Sequence, residues 1–212
     1  MSGRAWLWLA IAVFYGVFWF WYTPLGGPLT AAEIRQFSTA LERRDGDPER
    51  LAALRRFMAE DSGGQFFMVN LLDLADPAPV LPATGPDAAA QSLLDHYMAH
   101  MYPELARRAS HPVFVGTAVA GLLDLAGIDD AAPWSRAALM RYRSRRDMLE
   151  IATDPAFAER HEYKVAALAR TVAFPVEADL YLSDPRVLLA LVLLALAALS
   201  NLLALRRQPQ AG

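Results

Sequence analysis

Two histidines in the segment HYMAH, His96 and His100, lie four positions apart and are the residues best spaced to bind a metal. On a helix this spacing puts both imidazoles on one face, where they could share one ion. A catalytic zinc site needs at least three protein ligands, and no HExxH-type glutamate accompanies the pair. We therefore predict no metal site and treat both histidines as candidate ligand-binding residues.

Asn70 interrupts the apolar segment QFFMVNLLDL, which is short, rich in aromatic and aliphatic residues, and predicts a buried strand. Its amide either points into the interior and hydrogen-bonds a ligand, or closes the edge of the strand. Tyr142, Trp134 and Phe114 leave a similar choice open, because aromatic side chains form pocket walls and fill cores equally well. Asn70 and Tyr142 are therefore candidate ligand-binding residues.

His161 and Lys164 lie three positions apart, near Tyr163, in a segment that we predict to be helical. They could line a pocket, but we expect them to face solvent. The sequence contains no Gly-rich phosphate-binding loop, no nucleophile elbow and no convincing catalytic dyad. It therefore identifies no catalytic residue and no cofactor.

The stretch MRYRSRRDML contains four arginines, Arg141, Arg143, Arg145 and Arg146. Side chains alternate along a strand, so Arg141 and Arg143 share one side of the predicted strand with Leu139. Ser144 then caps the following helix, whose first turn places two arginines against the helix dipole. This arrangement suggests that Arg143, Arg145 or both meet a carboxylate from elsewhere in the chain, or a ligand anion.

The ordinary alternative for these arginines is a structural ion-pair network, since such pairs are common. Its candidate acids are Asp147, Glu150 and Glu159. Arg141 and Arg143 remain candidate ligand-binding residues. Nucleic-acid binding is the weakest explanation, because the patch has few interleaved aromatic residues and the net charge of the chain is −3.

The 212-residue chain is long enough for one ordinary domain plus extra segments. Its basic residues are all arginines except one lysine, Lys164, and acidic residues outnumber basic ones by 23 to 20. That balance excludes a globally basic nucleic-acid-binding surface. The absence of cysteine excludes disulfides, thiol catalysis and thiolate metal sites.

Both ends of the chain carry an uncharged apolar run, at residues 6–22 and 187–205. At about 1.5 Å per residue, each run extends roughly 25–28 Å as a helix, close to the thickness of the bilayer hydrocarbon core. Trp and Tyr at the edges of the first run suit the membrane interface. We predict two transmembrane helices. The alternative for the first is a cleaved signal peptide, although the run is longer and more aromatic than usual for one.

The short flanks of these runs predict how the chain crosses the membrane. Arg4 precedes the first run, and Arg206 and Arg207 follow the second, although Arg186 just before the second run weakens the contrast. The positive-inside rule then places the central segment in the periplasm or outside the cell. It places both ends on the cytoplasmic side of an inner membrane, at residues 1–5 and 206–212.

Local signals predict a helical hairpin over residues 23–62. Thr30 with Glu33 forms a capping box that opens one helix, and Asp47 followed by Pro48 opens the next. Residues 63–184 follow a different pattern, in which short apolar runs typical of strands alternate with amphipathic runs typical of helices. The hairpin therefore leads into a separate α+β domain.

The α+β domain has the predicted element order β-α-β-β-α-β, the split β-α-β arrangement of ferredoxin-like proteins. Pro103 is expected to bend or end its first helix, Asp154-Pro155 to restart its second, and Pro175 to indicate an edge strand or a bulge. The predicted strands cover residues 65–74, 111–121, 134–142 and 171–182, and the helices cover 88–109 and about 144–170.

The segments FFMVNLL, HPVFVG and ALMRYRSRRDMLEIATDPAF resemble the dimeric α+β barrel superfamily, in particular its small uncharacterised bacterial domains. The resemblance covers roughly residues 64–183 and leaves out the hairpin and both apolar runs. It implies a homodimer, since members commonly pair their sheets into a barrel. Some relatives degrade haem or are cofactor-free monooxygenases, and others are isomerases. A histidine can be an axial haem ligand in such relatives, but no motif match transfers that role to His96 or His100.

These observations leave three hypotheses. The first is a membrane-anchored domain outside the cytoplasm that binds a small apolar or aromatic ligand or serves as an assembly module. The second is a monooxygenase-like or haem-related enzyme that uses His96, His100, Asn70 or Tyr142. The third is an accessory subunit of a membrane complex, held by helix–helix contacts within the apolar runs.

Overall fold

The structure is a computed structural model that describes residues 3–44, 46–127 and 133–206. The chain forms two compact units, one of residues 26–178 and one of the two terminal segments. The larger unit contains both the predicted hairpin and the sheet. The helices are α1 (Gly3–Tyr22), α2 (Ala31–Glu42), α3 (Pro48–Ala59), α4 (Ala90–Arg107), α5 (Arg145–Thr153), α6 (Pro155–Ala166) and α7 (Pro185–Arg206). The strands are β1 (Phe66–Leu74), β2 (His111–Thr117), β3 (Arg136–Tyr142) and β4 (Leu168–Val176).

The four strands form one antiparallel sheet in the order β2-β3-β1-β4. One helix, α4, connects β1 to β2, and two, α5 and α6, connect β3 to β4. The predicted α+β class and element order are thus confirmed, and the arrangement is compatible with a ferredoxin-like fold. Pro175 lies in the edge strand β4, where the missing backbone N–H costs the sheet little, as predicted.

The strand register decides which side chains share a face of the sheet. Asn70 on β1 lies opposite Ala138 on β3 and Ala173 on β4, so these three side chains point to the same side. The helices α4 and α6 pack over this side and bury one core cluster with it. The cluster includes Phe66, Leu72, Leu93, Tyr97, Met101, Leu105, Ile151 and Phe157.

The opposite face of the sheet carries apolar side chains that remain exposed. Val69 on β1 lies opposite Leu139 and Phe174, and Leu139 also lies opposite Phe114. Phe174 and Phe114 are 44% and 55% exposed. Single exposed apolar residues are ordinary, but Leu139 and Val69 on the inner strands link these two phenylalanines into one apolar row across the sheet.

The hairpin of α2 and α3 forms as the capping signals predict. The Thr30 hydroxyl accepts a hydrogen bond from the Glu33 backbone N–H, and the Glu33 carboxylate accepts one from Thr30 N–H at 2.7 Å. The Asp47 carboxylate caps α3 by accepting from the backbone N–H groups of Glu49 and Arg50, with Pro48 at the first position of the helix. Arg146 of α5 donates to Glu33 at 2.6 Å, and this ion pair helps lower the pKa of Glu33 to about 2.

A buried carboxylate, Asp61, joins the hairpin to the rest of the larger unit. It accepts hydrogen bonds from Leu29 N–H at 2.8 Å and Gly63 N–H at 3.0 Å, and Arg145 Nε lies 3.5 Å away. Gly63 has φ of +75°, and a Cβ there would lie 2.6 Å from the carbonyl carbon of Gly27. Only glycine therefore fits this crossing without a backbone shift.

Several predicted boundaries are wrong near the end of the sheet. The second helix of the domain ends at Ala166 rather than near Arg170, and β4 ends at Val176 rather than 182. Residues from Leu168 onward pair with β1, and Arg170 Nε donates to Asp73 Oδ2 at 3.0 Å. Strand pairing here outweighs helix propensity. Similarly, β2 ends at Thr117 rather than 121. The predicted helix over residues 88–109 forms as α4, and Pro103 lies inside it without ending it.

The terminal unit consists of α1 and α7, which pack against each other. Two segments, Gly3–Tyr22 and Pro185–Leu203, could cross a membrane by their length and composition. Only 6% of the apolar stretch in each segment is buried. The Asp184 carboxylate accepts from the backbone N–H of Arg186 at 2.9 Å and so caps the start of α7. Residues 1–2 and 207–212 of the predicted cytoplasmic ends lie outside the described residues.

A candidate ligand-binding cavity

A cavity of about 560 Å³ lies between the helix-covered face of the sheet and the helices of the larger unit. Its volume falls within the range of roughly 300–1,000 Å³ that is usual for small-molecule sites. All four strands and five helices, α2 to α6, contribute to its wall. It is therefore the candidate functional site.

Alternation along the strands builds the floor of the cavity. Every second residue of β1 and β3 faces the helices, and this register leaves the intervening residues on the opposite face. The floor residues are Met68, Asn70, Leu72, Arg136, Ala138, Met140 and Tyr142, with Ala173 and Pro175 from β4. A shift of one residue in either strand would replace this entire floor.

The hairpin of α2 and α3 supplies part of the cavity wall. Its wall residues are Leu41, Arg44, Arg50, Ala53, Leu54 and Phe57. Leu149 of α5 lines the same cavity and is fully buried in the cluster that holds α2 and α3. The hairpin, which lies outside the pattern of the sequence resemblance, thus supplies part of the candidate site.

Asn70 and Tyr142 both line the cavity, so the structure brings these two predicted candidates together. The amide Nδ2 of Asn70 donates to Met68 O at 3.0 Å, and its Oδ1 accepts no hydrogen bond from the described residues. The Tyr142 ring stacks on Phe66 at 5.3 Å between centroids. Within the described part of the chain, the Tyr142 hydroxyl has no hydrogen-bond partner either. Both side chains can therefore offer a polar atom to a ligand.

Two tyrosines give the cavity phenol groups that stay protonated. Burial raises the pKa of Tyr142 to about 12, and burial together with nearby Tyr142 raises the pKa of Tyr97 further. A neutral phenol donates a hydrogen bond, and its acceptor capacity is small beside that of a phenolate. Tyr97 and Tyr142 therefore suit a ligand that carries a carbonyl or hydroxyl oxygen.

His161 and Lys164 of α6 line the cavity, and the expectation that they face solvent is wrong. The His161 ring stacks on Phe157 at 5.0 Å, and its buried Nδ1 makes no hydrogen bond to the described residues. Burial, with the positive charges of Lys164 and two arginines, lowers the pKa of His161 to about 4. The imidazole is therefore neutral at physiological pH.

Lys164 extends its amine over the ring of Tyr97, with Nζ 6.0 Å from the ring centroid. Burial lowers the pKa of this amine, and the charge of Arg50 lowers it further. Sequence reasoning missed His161 and Lys164, although Phe157, His161 and Lys164 follow the i, i+4, i+7 spacing of one helix face. That spacing is the signal from which their inward orientation could have been predicted.

Arg141 lies in the sheet but away from the cavity. It is fully buried, and its guanidinium donates to Gln65 Oε1 at 3.0 and 2.7 Å and to Ala109 O at 2.5 Å. Ala109 has φ of +49°, an uncommon conformation for alanine. Arg141 therefore holds the turn between α4 and β2 against the start of β1.

Arg143 also lies outside the cavity wall and makes two hydrogen bonds to Asp147, at 3.0 and 2.6 Å. Ser144 caps α5 by accepting from Asp147 N–H, as predicted. Arg145 meets Asp61 and Glu177, the latter at 3.1 Å. Arg143 thus forms the ordinary ion pair with Asp147, whereas Arg145 meets carboxylates from elsewhere in the chain. Glu150, another expected acid, pairs with Arg108 instead.

His96 and His100 of α4 are not among the cavity-lining residues. His96 packs on Tyr163 at 4.4 Å and lies 3.3 Å from Arg160 Nη1. Within residues 3–44, 46–127 and 133–206, no group of three or more His, Asp or Glu side chains is arranged to hold a metal ion. The haem-related hypothesis named His96 and His100, and neither of them lines the cavity.

Trp134 and Phe114, the other aromatic candidates for a pocket wall, lie elsewhere. The guanidinium of Arg170 stacks over Trp134 at 4.6 Å from the ring centroid. Phe114 belongs to the exposed face of the sheet, on its edge strand β2. Neither side chain lines the cavity.

No family model and no curated protein matches the sequence. Among solved structures, a protein of unknown function from Rhodopseudomonas palustris is 23% identical, over 65% of this chain and 97% of that chain, with a TM-score of 0.51. Its methylated form is 24% identical, over 66% and 96%, with the same TM-score. This similarity supports the fold alone.

Two further solved structures are more distant. A dimeric protein of unknown function and ferredoxin-like fold from Bacteroides fragilis is 12% identical, over 54% of this chain and 97% of that chain, with a TM-score of 0.33. A cofactor-independent oxygenase from Streptomyces nogalater is 12% identical, over 57% and 98%, with a TM-score of 0.35. Similarities this low leave the function to be argued from the cavity.

Proposed function

We propose that this protein binds a small, mostly apolar ligand that carries a carbonyl or hydroxyl oxygen. The observation that supports this most directly is the cavity of about 560 Å³ with polar groups on a largely apolar wall. The Tyr97 and Tyr142 phenols donate to the ligand oxygen, and Asn70 Oδ1 accepts from a hydroxyl. The apolar part of the ligand lies against Met68, Met140 and their neighbours.

The largely apolar wall and the polar groups set into it together define the ligand class. A fully apolar ligand would leave the Tyr142 hydroxyl and Asn70 Oδ1 without hydrogen-bond partners, which costs roughly 1–3 kcal/mol per group. A strongly polar ligand would lose its hydration without regaining enough hydrogen bonds. An aromatic ring with one oxygen substituent, such as naphthol, meets both requirements.

Naphthol should bind the full chain reconstituted in phosphatidylcholine nanodiscs, as measured by calorimetry against empty discs. Ala138→Phe places a ring on the cavity floor and should weaken binding at least about tenfold, since it removes volume that the ligand needs. The matched variant Ala99→Phe, on the exposed side of α4, should bind like the natural chain. Equal affinities for all three proteins would overturn the proposal.

We further propose that α1 and α7 anchor the protein in an inner membrane, with both termini in the cytoplasm and the larger unit outside it. The length and composition of the two helices support the anchoring. The orientation is supported by Arg4 before the first helix and Arg206 and Arg207 at the end of the second. A ligand would then reach the cavity from the periplasm or the exterior.

The chain has no cysteine, so a single introduced thiol reports its own location. Val80→Cys, in the exposed Pro-rich loop before α4, should react with a membrane-impermeant maleimide in intact spheroplasts. A cysteine added after residue 212 should react only once the cells are lysed. The reverse pattern would mean that the larger unit lies in the cytoplasm.

A homodimer is the proposed assembly, with the exposed sheet faces of two chains packed on each other. That face supports the proposal with the apolar side chains of Val69, Leu139, Phe114 and Phe174. The resemblance of the sequence to the dimeric α+β barrel superfamily supports it as well. Each copy would keep its own cavity, because the cavity lies on the other face of the sheet. Light scattering of the detergent-solubilised protein should give the mass of two chains, and the mass of one would contradict it.

A further inference from the structure

Lys164 is the only lysine in a chain whose other basic residues are all arginine. The two residue types differ chemically, because a guanidinium does not lose its proton in proteins, whereas an amine can do so and then becomes a nucleophile. This single amine lies on the wall of the cavity. Its position is not explained by an ion pair, since no carboxylate in the described residues lies within ion-pair distance of Nζ.

The groups that face Lys164 from the surrounding elements favour the neutral amine. Arg50 of α3 and Arg44 at the end of α2 line the same cavity and bring positive charge. Tyr97 of α4 presents its ring to the amine, and His161, one turn earlier on α6, is neutral. Among the described residues, Asp95 is the one acid that lines the cavity, and it accepts a hydrogen bond from Gln91 at 2.6 Å.

We propose that Lys164 forms an imine with an apolar aldehyde or ketone held in the cavity. The proposal rests on the binding function proposed above and narrows its ligand class to carbonyl compounds. Apolar surroundings suit this reaction, because they keep an amine uncharged and exclude the water that would hydrolyse the product.

The reaction needs no cofactor and no oxidant. The lone pair of the neutral Nζ attacks the carbonyl carbon, the C–N bond forms, and the carbonyl π electrons move to oxygen. Proton transfer from nitrogen to oxygen gives the carbinolamine. Loss of the hydroxyl group, with the second amine proton, releases one water and leaves the C=N bond. Phenols on the cavity wall, Tyr97 and Tyr142, are available to donate a hydrogen bond to the oxygen as it gains negative charge.

The test is reductive trapping on the full chain in phosphatidylcholine nanodiscs, with naphthaldehyde and cyanoborohydride as probes. Intact-mass and peptide mass spectrometry should show one naphthylmethyl group on the peptide that contains Lys164. Trapping there should be at least about tenfold faster than at the amino terminus of the chain, which is the internal reference. Excess naphthol should suppress it, and so should Ala138→Phe, because both occupy the cavity.

Lys164→Met keeps most of the side-chain volume and, like the neutral amine, carries no charge, so it should give no adduct within the chain beyond the amino terminus. A circular dichroism spectrum equal to that of the natural chain shows that this variant is folded. If the natural chain binds naphthol but gives no adduct at Lys164, the imine proposal is overturned and the binding function stands. An adduct that persists in Ala138→Phe would also overturn it, because the amine would then react from outside the cavity. If naphthol does not bind at all, the proposed function itself fails.

Discussion

Replacing Arg141 with alanine should lower the free energy of unfolding by about 3–5 kcal/mol, the combined cost of unsatisfied buried acceptors and a void in the core. The guanidinium is fully buried, and its removal leaves Gln65 Oε1 and Ala109 O without their donor. It also opens a void of most of a side chain. Urea unfolding of the detergent-solubilised chain, followed by circular dichroism, measures the change.

Arg141→Met is the matched variant, since methionine refills most of the volume but donates no hydrogen bond. We expect it to cost roughly 1–3 kcal/mol, the penalty for unsatisfied buried acceptors without the void. Arg143→Ala, which removes a partly exposed ion pair with Asp147, should cost less than Arg141→Ala. A loss below about 1 kcal/mol for Arg141→Ala would mean that the hydrogen bonds of the guanidinium contribute little net stability.

Leu139→Arg should convert the proposed homodimer into a monomer, with a dissociation constant at least about a thousandfold higher. Leu139 lies in the inner strand β3, opposite Val69 and Phe114 on the exposed face of the sheet. In a twofold-symmetric interface each chain contributes one substituted position, so two guanidinium groups would be desolvated without a carboxylate to pair with. Several kcal/mol of desolvation cost corresponds to a change of that size. Sedimentation velocity in detergent measures it.

Val165→Arg is the control for added charge, because Val165 is 61% exposed on α6 and lies outside the sheet. It should leave the dimer intact. Leu139→Arg should still bind naphthol, because Ala138 and Met140 on either side of it face the cavity. A Leu139→Arg protein that remains dimeric would show that the chains associate through another surface.

Signals within a few residues of one another were predicted correctly. The Thr30–Glu33 capping box, the Asp47-Pro48 start of α3 and the Ser144 cap of α5 all form as expected. Each depends on a side chain that bonds the backbone two or three positions away, so the neighbouring residues suffice to specify it. The strand and helix order followed from hydrophobic periodicity for the same reason.

Orientations that depend on distant partners were harder to predict. Asn70 was recognised as an inward-facing candidate, and it lines the cavity, but Lys164 was expected to face solvent. Charged residues face water in most proteins, and only the packing of the hairpin and α4 around α6 turns this amine inward. The four arginines illustrate the converse, since Arg145 finds its acids on residues far along the chain, Asp61 and Glu177.

Composition and local pattern thus determined the apolar helices at both ends, the α+β element order and the helix starts, because each is written within a short window of sequence. The tertiary structure decided the cavity, its hairpin wall and the inward position of the single lysine. Those features form where segments about a hundred residues apart in sequence pack together. The stability of that packing comes from apolar burial and hydrogen bonding between the segments, which no single segment encodes.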